Sequence, residues 1–259
     1  MLSKNKIKFV NSLKQKKFRT ETGLFIMEGD KVVTGVLVNR NISVNELLST
    51  PAWLQQNRYI LHNGIHEITE VTEAEFHKIT SFETPTGVMI ILSMPVSSFR
   101  EEDLKGQLSI SLDTLQDPGN LGTIIRTADW FGIRNIFCSP DCADCFNPKV
   151  VQASMGAVMR VSVHYTQLDI LLENLHQHDH YNIYGSYLEG ESLYETKLSS
   201  EGMLVFGNES RGIHPSLKNL IPVPLTIPSF SSYAGHIESL NVSVAVAIFC
   251  SEFLRNRIT

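Results

Sequence analysis

Three segments in the second half of the chain place glycine and polar residues directly after an apolar run. The first is LDTLQDPGNLGTIIRTADWFGI, residues 112–133. Asp117-Pro118-Gly119 predicts a tight turn there, and Asn120 is expected to cap the helix that follows. That helix carries Arg126 toward the carboxyl end of the preceding strand. These residues could form part of a functional site. An ordinary capped helix with a solvated arginine explains them equally well, and this segment alone does not decide between the two interpretations.

The second segment, LVFGNESRGI at 204–213, runs from a predicted buried strand straight into a polar turn. Gly207 permits close approach of a ligand, because a glycine has no side chain in the way. Glu209 places a carboxylate in the crevice where α/β sheets bind ligands. A loop in which Asn208 and Glu209 only cap the turn is the alternative.

The third segment, residues 224–249, ends a strand at Ile227-Pro228 and opens a helix at Ser239-Leu240-Asn241. Asn241 and Ser243 interrupt an otherwise apolar helix and need hydrogen-bond partners if they are buried. An N-cap followed by a core helix is the simpler interpretation. All three segments therefore predict polar groups at the ends of strands.

The elements that must position these residues alternate between strand and helix. Apolar strands are predicted at 108–112, 135–139, 161–165, 182–186 and 203–207, and helices at 122–132, 169–177 and about 239–255. This alternation predicts an α/β domain with a parallel sheet covered on both faces. The glycine spacing of a dinucleotide-binding turn is missing after its first strand, where GNLG at 119–122 is too short.

The first half predicts a smaller α/β domain. Helices are expected at 3–18, 30–39 and 72–79, the last with Thr72 and Glu75 as a capping box, and strands at 23–28, 66–71 and 88–92. Residues 93–106 carry proline, serine and mixed charges without a clear period. We therefore predict domains at 1–95 and 107–259, joined by a linker at 96–106.

The charge of the chain is unevenly distributed. The net charge is −5, but the first twenty residues contain 7 basic residues and no acidic one, which leaves 15 basic against 27 acidic residues elsewhere. We call the seven basic residues of this N-terminal stretch the basic arm: Lys4, Lys6, Lys8, Lys14, Lys16, Lys17 and Arg19. Such an arm on an acidic body could contact nucleic-acid phosphates, and a solvated helix face is the alternative.

Composition narrows the class of protein. A hydrophobic content of 42% and a charged content of 19% are typical of a globular chain. The apolar runs at 88–92 and 242–250 are too short to span a bilayer. No apolar signal region follows the first lysines, so we expect the 4 cysteines to remain reduced in the cytoplasm.

A cysteine cluster supplies a competing hypothesis. Cys138, Cys142 and Cys145 have a spacing similar to the iron–sulfur signature of radical S-adenosylmethionine enzymes, and three thiolates could hold a cluster or half of a zinc site. They follow the second strand of this half, however, and no barrel-length set of strands surrounds them. We therefore expect no metal.

Taken together, the three segments resemble the motifs of the SpoU (TrmH-type) RNA methyltransferases of the SPOUT superfamily. The first motif, Asn-x-Gly-x-x-x-Arg, is present at 120–126, and the second, Gly-Asn-Glu with a downstream Arg-Gly, at 207–212. The third, Ile-Pro followed by Ser-Leu-Asn-Val-Ser, is present at 227–228 and 239–243. Residues 147–158 also resemble the family stretch between the first two motifs.

The first half resembles the accessory domain of that family more weakly, in the segments 16–33 and 83–92. The resemblance implies that it binds RNA, and within the basic arm we expect Lys14, Lys16, Lys17 and Arg19 to do so. Two positions depart from the family: the loop 228–238 is about four residues longer, and Gln152 stands where arginine is common.

The resemblance implies an enzyme that methylates ribose 2′-hydroxyls of structured RNA with S-adenosylmethionine. It further implies a deep trefoil knot, a homodimer, and cofactor contacts from Gly207, Ile227 and Leu240. Five residues are expected to act in catalysis: Asn120, Arg126, Glu209, Ser239 and Asn241. In this family, the arginine at the position of Arg126 is often described as the base. Because a guanidinium does not readily give up its proton, we expect it instead to grip a phosphate and orient the ribose.

A non-catalytic RNA-binding relative is the main alternative to an enzyme. The intact Asn120, Arg126, Glu209 and Asn241 argue against it. Ribosomal and transfer RNA are both open as substrates.

Overall fold

The computed structural model describes residues 2–96, 98–177, 181–231 and 239–255. Its helices, in chain order, are α1 (Lys4–Ser12), α2 (Lys16–Thr22), α3 (Asp30–Val38), α4 (Pro51–Gln56), α5 (Glu73–Phe76), α6 (Pro118–Trp130), α7 (Pro148–Ser154), α8 (Leu168–His176), α9 (Pro215–Lys218) and α10 (Val242–Leu254). Its strands are β1 (Leu24–Glu28), β2 (Glu46–Ser49), β3 (Ile68–Glu70), β4 (Val88–Ser93), β5 (Leu108–Leu112), β6 (Asn135–Cys138), β7 (Ser162–Tyr165), β8 (Ile183–Ser192), β9 (Gly202–Phe206) and β10 (Val223–Thr226).

The chain divides into two compact units. Unit 1 contains the residues up to Val96 together with Asp144–Met159, and unit 2 contains Ser97–Ala143 and the residues from Arg160 onward. The segment 144–159, which carries α7, therefore belongs to unit 1 although it lies inside the predicted second domain. Among the described residues, no helix is both long and apolar enough to cross a membrane.

Unit 1 is built on a four-stranded mixed sheet with the order β1-β4-β2-β3. The β2–β3 pair is parallel and the other two pairs are antiparallel. On one face, Val10 of α1, Leu13 directly after α1 and Phe76 of α5 pack against the sheet. Helices α3 and α7 also contact β1. The small sheet thus packs against helices, as expected for the predicted α/β class.

The N-terminal helix differs from the prediction. One helix was expected at 3–18, whereas α1 ends at Ser12 and α2 begins at Lys16. The carbonyl of Leu13 accepts a hydrogen bond from the Arg19 guanidinium at 2.9 Å. That carbonyl is therefore committed to a side chain rather than to the amide four residues further on, and the helix breaks there.

Three elements of unit 1, β2, α4 and α7, were not predicted. Strand β2 is short, and α4 begins immediately after it, so neither gives a long periodic pattern. The signal for α4 was Thr50-Pro51, since Thr50 accepts the Trp53 amide as N-cap and proline occupies the first turn. The predicted capping box of Thr72 and Glu75 is confirmed.

Unit 2 contains a six-stranded sheet with the order β10-β8-β9-β5-β6-β7, and every pair is parallel. The predicted parallel α/β domain is therefore confirmed. Because β9 and β5 are neighbours, the loops that follow them leave the same edge of the sheet side by side. The sheet order thereby brings the first two motif segments together.

The largest differences from the predicted boundaries of unit 2 are at β8 and α6. Strand β8 continues to Ser192, and its pairing with β10 shifts register between Pro224 and Leu225. Helix α6 begins at Pro118, several residues earlier than predicted. The knot stays a prediction, because 232–238, most of the lengthened loop between β10 and α10, lies outside the described residues.

Candidate active site

The first motif segment is held by the start of α6. Asp117 is the N-cap and accepts the Asn120 amide at 2.7 Å, and Pro118 occupies the first helical position. The prediction that Asn120 caps the helix is therefore wrong. An aspartate directly before a proline was the better signal, because proline needs no amide partner in the first turn. As the third helical residue, Asn120 keeps its side chain free for other contacts.

The Asn120 side chain joins the three motif segments. Its Nδ2 donates to Glu209 Oε1 at 2.8 Å, and its Oδ1 accepts from Asn241 Nδ2 at 3.0 Å. Asn241 is the N-cap of α10, and its Oδ1 accepts from the amide and the hydroxyl of Ser243 at 2.9 and 2.6 Å. Residues separated by 89 and 121 positions in sequence thus form one polar chain.

Arg126 and Ser239 lie outside this chain of hydrogen bonds. Arg126 is exposed, a little over two turns into α6, and its guanidinium has no hydrogen-bond or ion-pair partner among the described residues. Ser239 is exposed as well, and no described group bonds its hydroxyl. Glu209, the carboxylate among the expected catalytic residues, contacts Asn120 and not Arg126. A free guanidinium at a polar site can bind an external anion.

The glycine at 207 is required by its own loop. A Cβ atom there would lie 2.0 Å from the carbonyl carbon of Gly212, far inside any real contact distance. The loop closes on itself through reciprocal backbone hydrogen bonds between Asn208 and Gly212, at 3.0 and 2.8 Å. Close packing within the loop therefore explains this glycine without a ligand.

The backbone at the three expected cofactor contacts suits S-adenosylmethionine. Gly207 follows β9, Ile227 follows β10, and Leu240 precedes α10 with 47% of its surface exposed. In the part of the chain that the structure describes, no hydrogen bond occupies their backbone amides or carbonyls. Backbone groups without an internal partner can bind a polar ligand, so these three residues are compatible with the cofactor.

The basic arm, in unit 1, is only partly available to a partner. Arg19 is 2% exposed and forms an ion pair with Asp144 at 2.5 Å. The prediction that Arg19 contacts RNA is therefore wrong, because its guanidinium holds the segment 144–159 within unit 1. Lys6 is paired with Glu46. The exposed members of the arm are Lys4, Lys8, Lys16 and Lys17.

Lys14 is half-buried and also serves unit 1. Its ammonium donates to the Thr80 carbonyl at 2.9 Å, and burial lowers its pKa although nearby Glu28 opposes the shift. Burial in turn raises the pKa of Glu28, against hydrogen bonds from Thr80 and Ser81. An RNA contact by Lys14 would have to share its ammonium with this internal network.

The cysteines lie in the interior, and all of them are free thiols. A hydrogen bond with Cys138 is the main reason that the pKa of Cys142 falls to about 7, whereas burial opposes the shift. Cys142 Sγ also lies 3.2 Å from the Leu115 amide and from the Leu112 carbonyl. Within the described ranges, no group of three or more His, Cys, Asp or Glu side chains is arranged to hold a metal ion.

Comparison with protein families identifies two regions of the chain. Residues 107–251 match the family model described as the SpoU rRNA Methylase family. Residues 4–90 match the MRM3-like substrate binding domain. The two matches together span most of the sequence, and the larger one contains all three motif segments.

Individual proteins give the same result. The 23S rRNA (guanosine(2553)-2′-O)-methyltransferase RlmP of Bacillus subtilis is 32% identical over 94% of this chain and 93% of that relative. A solved structure from Porphyromonas gingivalis, described as an RNA methyltransferase of the TrmH family, is 38% identical, with a TM-score of 0.86 over 98% of this chain and 99% of that one. The AdoMet-bound rRNA methyltransferase of Sinorhizobium meliloti is 27% identical, with a TM-score of 0.83 over 100% of this chain and 97% of that one.

Proposed function

Because the chain belongs to the SpoU rRNA Methylase family, we propose that it transfers a methyl group from S-adenosylmethionine to a ribose 2′-hydroxyl of RNA. The observation that carries this proposal is the polar chain Glu209–Asn120–Asn241, which unites the three motif segments at one edge of the sheet. A protein that only binds RNA has no need to join these groups. The enzyme is therefore preferred to a non-catalytic relative.

The reaction forms a bond between the 2′-oxygen and the methyl carbon while the carbon–sulfur bond breaks. S-adenosylmethionine supplies an activated methyl group on a positively charged sulfur. A hydroxyl is a weak nucleophile, so the protein must contribute orientation and local electrostatics. Asn120 and Asn241 hold each other through their amides, and their mutual hydrogen bond limits how each can turn toward a ribose.

Arg126 is assigned to the RNA rather than to proton transfer. A guanidinium does not readily give up its proton and is a poor base, whereas the exposed guanidinium of Arg126 can bind a phosphate through two hydrogen bonds. The hydroxyl proton then passes to a substrate phosphate oxygen or to water. Ser239 is assigned to ordering the loop before α10, and the backbone of Gly207, Ile227 and Leu240 to holding the cofactor.

We further propose that the active form is a homodimer in which α6 and α10 face a second copy. Arg126 has no described partner in its own chain, as expected if it acts beside the cofactor of the other subunit. A groove between the two helices is lined by Thr123, Thr127, Val244 and Ile248. Val244 is 47% exposed and Trp130 85% exposed, so this face presents apolar surface that a second copy would cover.

Ribosomal RNA is the preferred substrate. The Bacillus subtilis relative named for 23S rRNA aligns with nearly the whole chain, and unit 1 matches a substrate binding domain. Unit 1 would recruit the RNA through the exposed lysines of the basic arm. Lys14 would contribute through the hydrogen-bond donors of its ammonium group that its internal contacts do not use. We place this reaction in the cytoplasm.

The test is methyl transfer from labelled S-adenosylmethionine to purified ribosomal and transfer RNA, followed by mapping of 2′-O-methyl positions. We expect label on a ribose of ribosomal RNA, and none with Asn120→Ala. A folded protein that binds the cofactor but leaves both RNAs unlabelled would contradict the proposal. Label on a base rather than a ribose would contradict its chemistry.

A further inference from the structure

Two side chains to which no catalytic or cofactor-binding role has been assigned tie the loop after β5 to the loop after β9, and one of them, Asn208, belongs to the second motif. We call these side chains, Asp113 and Asn208, the loop junction. Asp113 directly follows β5, and Asn208 lies two residues after the end of β9. One loop leads into α6 and Asn120, and the other carries Glu209. The junction therefore connects the two loops that carry the hydrogen-bonded pair Asn120 and Glu209.

Asn208 bonds both loops with one amide group. Its Nδ2 donates to the Thr114 carbonyl at 2.9 Å, across 94 positions of sequence. Its Oδ1 accepts the amides of Ser210 and Arg211 at 2.9 and 3.3 Å, which shapes its own turn. The acceptor end thus serves the loop after β9, and the donor end reaches the loop after β5.

Asp113 makes the second connection, and it is 6% exposed. Its Oδ2 accepts the His214 amide at 2.7 Å, and its Oδ1 accepts the Thr114 hydroxyl at 2.9 Å. His214 closes the loop that contains Glu209, so that loop is attached at both of its ends.

Thr114 shows that the loop after β5 is held in an unfavourable shape. Its φ of 57° lies in the left-handed region, which a β-branched residue rarely adopts. The Thr114 amide donates to Ser139 Oγ at 2.8 Å, and its carbonyl accepts from Asn208. Strain of this kind persists only where surrounding contacts impose it, and such positions cluster at functional sites.

We propose that Asn208 and Asp113 are positioning residues, which set the distance between Asn120 and Glu209 and so align the ribose for methyl transfer. The role in catalysis rests on the proposed function, whereas the coupling between the two loops does not. Neither residue is assigned a contact with substrate or cofactor. Displacement of reacting groups by about 1 Å costs up to ~100-fold in rate, so a loosened junction is expected to be costly.

The decisive variant is Asn208→Asp. It preserves the shape and the Oδ1 acceptor of the turn, but it replaces the donor with an oxygen that faces the Thr114 carbonyl. We expect the single-turnover rate of methyl transfer to fall about 10- to 100-fold, with the Kd for S-adenosylmethionine changed by less than about threefold. Asn208→Ala, which also removes the turn acceptor, should lower Tm further than Asn208→Asp and yet slow transfer by a similar factor.

Asn135→Asp is the matched control, because Asn135 lies in the same unit, at the start of β6, where its Oδ1 bonds His164 at 3.1 Å. It should leave the rate unchanged. In a double-mutant cycle, Asn208→Asp should slow the Asn120→Ala enzyme much less than the wild type. If the transfer rates fall in parallel with Tm across the variants, Asn208 is only a turn residue. The same conclusion holds if the rate losses caused by Asn208→Asp and Asn120→Ala simply multiply in the double variant.

Hydrogen exchange tests the junction independently of activity. In Asn208→Asp we expect faster amide exchange in both 113–117 and 207–214, and in Asn135→Asp in neither. Faster exchange in 207–214 alone would overturn the coupling of the two loops. If the wild type transfers no methyl group, the proposed function fails, and the exchange result still decides whether the junction exists.

Discussion

The polar side chains that the sequence singled out make different kinds of contact in unit 1 and unit 2. In unit 2, Asn120, Glu209 and Asn241 bond one another at the edge of the parallel sheet. In unit 1, Arg19 and Lys14 bond groups of their own unit, Asp144 and the Thr80 carbonyl.

The difference lies in the elements that carry these residues. Parallel strands with a fixed order deliver the residues after them to one edge, whatever their separation in sequence. A short helix packed on a small sheet has residues on several faces, and its charged side chains can turn inward when a partner is present. The type of residue was therefore a better guide to which side chains meet in unit 2 than to which are exposed in unit 1.

The largest effect is expected from breaking the buried pair of unit 1. Arg19→Ala leaves Asp144 without its partner and the Leu13 carbonyl without its donor, so we expect a loss of about 3–5 kcal/mol of unfolding free energy. Urea denaturation measures it. Lys17→Ala, on the same helix but exposed, should change stability by less than about 0.5 kcal/mol.

The double variant Arg19→Met with Asp144→Leu sharpens this test. Apolar replacement of both partners removes the unpaired charge and should recover much of the lost stability. If Arg19→Ala lowers the free energy of unfolding no more than Lys17→Ala does, the Arg19–Asp144 pair does not stabilise unit 1. Arg19 would then again be a candidate for RNA binding.

In unit 2 the corresponding experiment is Arg126→Ala. Its guanidinium has no described partner, so stability and cofactor affinity should be nearly unchanged. Methyl transfer should fall about 10²- to 10³-fold, as when one preorganised donor is removed from an active site. Single-turnover assays with labelled methyl groups measure it. Arg134→Ala, another exposed arginine of the unit, should retain the wild-type rate, and Arg126→Ala with full activity would exclude this residue from the mechanism.

The exposed lysines of the basic arm test whether unit 1 recruits RNA. Deleting residues 1–19 would also remove the buried Leu13 and Arg19, so point substitutions are the cleaner change. With Lys4, Lys8, Lys16 and Lys17 replaced by glutamine, the slope of log affinity against log salt should flatten by roughly 3 units. Replacing Lys197 and Lys218 of unit 2 should leave the slope unchanged. Parallel lines for the four-lysine variant would leave the arm as a solvated helix face.

The smallest expected effect concerns Glu28. Burial raises its pKa in the folded protein, so the group binds a proton more readily when folded than when unfolded. Its contribution to stability is therefore fully present below the unfolded pKa and is lost as pH rises through the folded pKa. Relative to wild type, Glu28→Gln should gain stability as pH rises from 4 to 7. Urea unfolding across that range measures it, and a pH-independent difference would contradict the raised pKa.

Several parts of the fold were predictable because they depend on local geometry. Alternating apolar strands and helices predicted the parallel sheet of unit 2, and the spacing of Thr72 and Glu75 predicted a capping box that the structure confirms. Short elements such as β2 and α4 escaped prediction, because four to six residues carry too little periodicity. The break between α1 and α2 depends on Arg19, whose hydrogen bond no helical pattern could reveal.

The sequence by itself determined the residue types of the candidate site and the strand ends at which they lie. Asn120, Glu209 and Asn241 could be named as candidates because each stands at a predicted junction of strand, loop and helix. Only the tertiary structure decided that Glu209 bonds Asn120 rather than Arg126, and that Arg19 turns inward to Asp144. The physical reason is distance along the chain: caps and periodicity act within a few residues, whereas these partners are 89 and 125 positions apart and meet only through strand order and packing.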